Sequence, residues 1–257
     1  MKTTNGSKSK IPVICVDPSG WEGANIFNPN IWSGGSKGVV QSCWSEYSVL
    51  CFCAEQISSM CNDAELLCET HIATLQEQWR IKKIDLGKVV ILGEQPDLHI
   101  RIEAFFSGVK TLLDLLMQLL STEKVVSADI DGFHRVKDNY GGRVLNVLRC
   151  NAVKERKDVA AKFDALILEH KKLWIDEVIR ARDQLVHPEK GMHQLMFNLE
   201  FSEKDGTLFC DKVHPPVINS KPIHVYAQGT LKQITEFSSH FLALLSGLFH
   251  KLCYVFA

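Results

Sequence analysis

Residues 155 to 187 carry the longest helical pattern in the chain, and any fold must bury its apolar side. Phe163, Leu166, Ile167, His170, Leu173, Trp174, Val178, Ala181 and Leu185 recur at steps of three and four, with the charges opposite. A stripe of that length needs partners of similar length. Three other segments supply them. From Val39, the residues Trp44, Tyr47, Cys51, Ala54, Ile57 and Cys61 form one stripe. Residues 101–121 place Phe105, Val109, Leu112, Leu116 and Leu119 on one face. Leu113 and Leu120 widen that face, which predicts burial on more than one side. The last stripe runs through Leu231, Ile234, Phe237, Phe241, Leu244, Leu248 and Leu252, with Thr230 and Gln233 as a capping box. A further helix is predicted from Asn62 or Asp63 to about Ile81.

The period changes to two in "LMFNLEFS", where Leu195, Phe197, Leu199 and Phe201 alternate with Met196, Asn198 and Glu200. That is the pattern of a half-buried strand. "EKDG" reads as a turn, "TLFCDKV" as the returning strand and "IHVYA" as a third short strand. The expectation is a mainly α protein, an antiparallel helical bundle with a small β-hairpin inserted before the last helix. Residues 1–38, rich in Gly, Ser, Asn and Pro, read as a loop-rich arm that Trp21, Phe27 and Trp32 pin to the core. Residues 39–257 read as one helical domain, with the hairpin at about 194–227.

With 46% hydrophobic and 23% charged residues the chain has ample material for a core. Its formal net charge of -1 provides no bulk attraction to nucleic acid or to anionic membranes, so any RNA contact must come from a local patch. The clusters "KERK" (154–157) and "HKK" (170–172) read most simply as solvated helix faces, and are the candidates for such a patch. Nine cysteines without paired ligand spacing read as small buried hydrophobes in a reducing cytosol. The sharper alternative is a metal site from Cys61, Cys68 and His71. No signal peptide, no apolar run of membrane-spanning length, no P-loop, no GxGxxG, no HExxH and no GxSxG occurs in the sequence. His71, His170 and His240 lie on or near apolar stripes and read as packed histidines. No cofactor or metal is expected.

The long helix closes on "RARDQLVHPEKG", residues 180–191. The plain reading is a helix ending. Pro188 disfavours helical geometry at His187, and basic groups suit a helix C-terminus. The chemical reading starts from Arg182, which borders the stripe containing Val178 and Leu185 and so sits at a seam. A guanidinium binds phosphate bidentately. An imidazole can exchange a proton with a ribose 2′-hydroxyl or a leaving oxygen. Asp183 can orient either group. Arg180 also stands at a suitable spacing from His187, so both arginines remain candidates.

Arg182, Asp183 and His187 resemble the signature of the HEPN superfamily, the higher eukaryote and prokaryote nucleotide-binding domains. "IEAFFSGVKTLLDLLMQLL" followed by "WIDEVIRARDQLVHP" looks like the helix pair of bacterial HEPN-like proteins. The resemblance covers residues 40–190 and the final helix, and leaves out the arm and the hairpin. It implies a dimeric helical bundle acting as a metal-independent endoribonuclease in stress response or defence. In that scheme Arg182 holds the scissile phosphate, His187 is the general acid/base, and Asp183 orients them. RNA, a second copy of the chain and a protein regulator are the implied partners. A non-catalytic relative that binds RNA, a nucleotide or a protein is the alternative. The chain departs from one subtype, since Glu189 stands where some members carry a tyrosine that is a target for nucleotide modification.

Overall fold

The computed structural model describes residues 27–32, 34–64, 90–91, 96–137, 139–186, 195–205 and 207–253. The chain is mainly α-helical, with short antiparallel strand pairs. Helix α1 (Gly34–Asn62) packs along α2 (Pro96–Thr122). Gly108 sets their close approach: a Cβ there would lie 2.7 Å from Glu46 Oε1 and 2.9 Å from Leu50 Cδ2. As its widened stripe predicts, α2 is buried on several sides. Leu98, Ile102, Phe105, Phe106, Val109, Leu112, Leu113, Leu116, Met117, Leu119 and Leu120 are all in the core. By length and composition α2 could cross a membrane; here 56% of its most apolar window is buried in the protein.

The helix predicted over 155–187 is present, in three parts. α3 (Gly142–Cys150) precedes it; then α4 (Lys157–His170) runs into a π-helical turn, Lys171–Ile175, and on into α5 (Asp176–Val186). The wide turn inserts one extra residue into the helical repeat. The inward stripe is therefore Phe163, Ile167, His170 and Trp174, then Ile175, Val178, Ile179, Ala181 and Leu185. Leu173, expected inside, is 62% exposed, because the added residue shifts the faces. The last helix, α6 (Ile223–Cys253), packs on α1, α2 and α4.

Strands β2 (Asn198–Lys204) and β3 (Thr207–His214) form the predicted hairpin between α5 and α6, with Leu199 opposite Val213 and a bulge between Glu200 and Phe201. Leu195, Phe197 and Leu199 are buried and Asn198 and Glu200 are exposed, which is the period-two pattern. β1 (Val90–Ile91), from the apolar run "KVVILG", adds to the other edge of β2. A second small ladder pairs β4 (Val217–Ile218) with β5 (Lys221–Pro222).

Several expectations need correction. "IHVYA" is not a strand but the opening of α6. Pro222 stands just before the helix, where a fixed φ and a missing N–H cost little. Ile223, Tyr226, Ala227 and Thr230 are buried at helical spacing while Val225 is 50% exposed; a strand would have put 223, 225 and 227 on one face. Thr230 is thus a buried mid-helix residue and not a cap. His240 is exposed, off the buried stripe of Ile234, Phe237 and Phe241. Helix α1 starts at Gly34, within the segment read as arm, and Trp44 and Cys61 are only partly buried because Val40, Cys43 and Leu50 lead its inward face. Phe27 and Trp32 are both core residues, and the Phe27 ring meets Tyr47 at 5.3 Å between centroids. Trp21, Cys68, His71, most of the helix predicted over 62–81 and His187 fall outside the described residues.

Candidate functional site

The candidate site is assembled from the last turns of α5 and the irregular segment after α2. Ala181 and Leu185 anchor α5 to the core. At about 100° per residue, Arg182 then falls beside the buried stripe, while Arg180 and Asp183 lie one turn apart on the outward side. The structure follows this for Arg180 and Arg182, whereas Asp183 is covered by the loop that carries Tyr140. Arg180 is exposed, and the side chains of Arg182 and Asp183 are 28% and 18% exposed. Arg182 Nη1 donates to Asp183 Oδ1 at 3.1 Å. The Arg182 Nε–H is shielded from solvent and has no acceptor among the described residues.

The opposite wall comes from residues 131–141. Asp114 on α2 accepts the Phe133 backbone N–H at 2.5 Å and pairs with Lys110, one turn before it. Phe133 is buried beneath the loop. Val136 and Asn139 exchange backbone hydrogen bonds of 2.9 and 3.0 Å, closing a tight turn. Gly141 takes φ +67°, and a Cβ there would meet three Phe133 ring carbons within 2.7 Å, so only glycine fits. This geometry delivers Tyr140 to α5, where its hydroxyl donates to Asp183 Oδ2 at 3.3 Å. The two oxygens of Asp183 are thus shared between Arg182 and Tyr140. The Arg135 guanidinium lies over the Tyr140 ring at 5.2 Å and donates to the Lys137 carbonyl. Burial, and next the Asp183 carboxylate, raise the Tyr140 phenol above its ordinary pKa, while Arg135 and Arg180 pull it down. The phenol therefore stays protonated at neutral pH and acts as a donor.

Of the predicted residues, the structure brings Arg182 and Asp183 into contact and leaves Arg180 on the outward face. Tyr140 and Arg135 were not legible as site residues. Tyr140 has one signal, "DNYGG", a turn signature that sets an aromatic between a polar pair and two glycines; Arg135 lies outside it.

The other predicted groups have structural occupations. In "KERK" and "HKK", Lys154, Glu155, Lys157 and Lys172 are exposed, as solvated faces would be, whereas Arg156 donates to the Glu123 carbonyl and Lys171 pairs with Asp176. His170 is buried, as its stripe position predicts, and its Nδ1 accepts the Trp174 indole N–H at 2.9 Å. Burial pushes the Cys43 thiol up to about 12 and the Cys51 thiol up to about 11, so neither is a thiolate at neutral pH. Among the described residues no three His, Cys, Asp or Glu side chains gather as a metal site. Comparison with known proteins finds no match: no family model, no curated protein and no solved structure matches the chain.

Proposed function

We propose that the chain is a HEPN-like, metal-independent endoribonuclease. The observation that carries this reading is the placement of Arg182. It is a half-buried guanidinium at a helix end, oriented by Asp183, with a shielded N–H left to donate. Such a group is suited to hold a phosphodiester and to stabilise the charge that develops on it. In this scheme Arg182 holds the scissile phosphate and Asp183 fixes its direction. His187 takes a proton from the ribose 2′-hydroxyl or returns one to the leaving oxygen. The long helices α1, α2, α4 to α5 and α6 read as an antiparallel bundle, with a dimer placing two such helix ends together. The reading draws on the arginine–aspartate–histidine signature together with the long helices around it.

A second reading is a non-catalytic module that binds RNA, a nucleotide or a protein partner. The ion pair between Arg182 and Asp183 favours it, since an arginine already neutralised by its neighbour is weaker at stabilising a transition state. Cleavage of a mixed RNA pool in EDTA separates the two. The nuclease reading expects cleavage by the wild type and its loss in His187→Ala, with both proteins folded. Binding without cleavage by the wild type selects the module.

A further inference from the structure

We infer that Arg180 and Arg135, gathered around Tyr140, form a second phosphate subsite beside Arg182, one that takes a neighbouring phosphate of a single-stranded ribonucleotide chain. The inference rests on the reading of Arg182 as a phosphate ligand and extends it to residues outside the signature.

Three observations carry it. The first is charge. The chain as a whole has a net charge of -1. Yet Arg135 lies over the Tyr140 ring, Arg182 bonds the Asp183 that the phenol also bonds, and Arg180 stands one helical turn before Asp183, near enough to act on the phenol. Three guanidinium groups thus gather about Tyr140 and one carboxylate. Guanidinium groups stay charged at all relevant pH, so the cluster keeps a local excess of positive charge.

The second is the state of Arg180. Other described arginines are occupied: Arg149 holds Asp164 with two nitrogens, Arg143 pairs with Asp131, Arg156 bonds the Glu123 carbonyl, and Arg101 lies over Phe52. Arg180 is exposed and has no hydrogen-bond, ion-pair or ring partner among the described residues. A cation left unpaired beside other cations is repelled by them, and a bound anion relieves that repulsion.

The third is fixation. Tyr140 donates to one oxygen of Asp183 and Arg182 to the other, so both oxygens of the carboxylate one turn after Arg180 are already engaged. Arg135 is held over the ring by its bond to the Lys137 carbonyl. The donors are therefore set before an anion arrives, which lowers the ordering cost of binding. Tyr140 acts here as a positioning residue: it engages one oxygen of Asp183 and supports Arg135.

The test measures binding in EDTA of a short single-stranded oligonucleotide carrying 2′-O-methyl groups, which cannot be cleaved through the 2′-oxygen, and in parallel binding of inorganic pyrophosphate. The variants are Arg180→Ala, Arg180→Lys and Arg135→Ala, with Arg149→Ala as a charge-matched control away from the cluster. Each alanine variant in the cluster is expected to weaken oligonucleotide binding roughly tenfold. It is also expected to reduce the salt-dependence slope by about 0.7 per lost phosphate contact, whereas Arg149→Ala changes neither. Arg180→Lys is expected to recover the slope more fully than the affinity, because it keeps the charge and loses the planar fork. If the wild type binds and all variants match the control, the subsite is refuted while the nuclease reading stands. If pyrophosphate binds through Arg180 but the oligonucleotide does not bind, the cluster is an anion site and its assignment to a ribonucleotide chain is overturned, together with the RNA reading. If neither probe binds the wild type, both fall.

Discussion

Gly141→Ala tests how the loop carrying Tyr140 is held. Alanine must adopt φ near +67°, at a cost of about 1 kcal/mol for a left-handed backbone. Its methyl group must also enter space filled by the Phe133 ring, three of whose carbons would lie within 2.7 Å. Phe133 is 1% exposed and has little room to retreat, so overpacking adds roughly 2 kcal/mol. The sum is about 3 kcal/mol. For a chain of this size that lowers the melting temperature by about 6–12 °C, and the urea midpoint falls with an unchanged slope. A double-mutant cycle separates the two contributions. In a Phe133→Leu background the ring is gone, so Gly141→Ala is expected to cost only the backbone portion, about 1 kcal/mol. The coupling energy is then about 2 kcal/mol. Costs that add without coupling, or a Gly141→Ala protein within about 0.5 kcal/mol of the wild type, would refute the account of this turn.

Two further outcomes concern stability. Asp114→Ala removes the acceptor of the Phe133 N–H and the partner of Lys110, and is expected to cost about 2 kcal/mol by urea denaturation. Asp114→Asn, which keeps an acceptor, is expected to recover part of it. His170 supplies a pH signature. Burial lowers its pKa below the ordinary 6.5, opposed by Glu169 and Glu236 and assisted by His240. The unfolded chain therefore binds the proton first as pH falls. Stability is unaffected well above 6.5 and declines as pH drops through that value toward the lowered one. In His170→Gln, which can still accept the Trp174 N–H, that portion of the decline as pH falls through 6.5 is expected to vanish. An unchanged pH profile would show that the imidazole titrates alike in both states.

The helices were largely legible because burial on a helix leaves a period in the sequence. The stripes of α1, α2 and α6 and the alternation around Leu195, Phe197 and Leu199 are one-dimensional records of which side faces the core. Boundaries were less legible. "IHVYA" suits a strand by propensity, but the buried positions Ile223, Tyr226, Ala227 and Thr230 favour a helix, and tertiary burial outweighs propensity. Leu173 was misplaced because a single-residue insertion into a helical repeat leaves no local signature, only a shift of face beyond it.

The site divides in the same way. Its α5 half is local, so its layout follows from spacing: Arg180 and Asp183 one turn apart, Arg182 at the seam. Its other half is not. Tyr140 and Arg135 reach α5 through Asp114, Phe133 and Gly141, a chain of contacts between residues far apart in sequence. Periodicity reports only which way a residue faces on its own element. By itself the sequence determined most of the helical faces, the hairpin and the adjacency of Arg182 and Asp183. Only the tertiary structure decided which loop closes over that pair, because that depends on packing between distant segments.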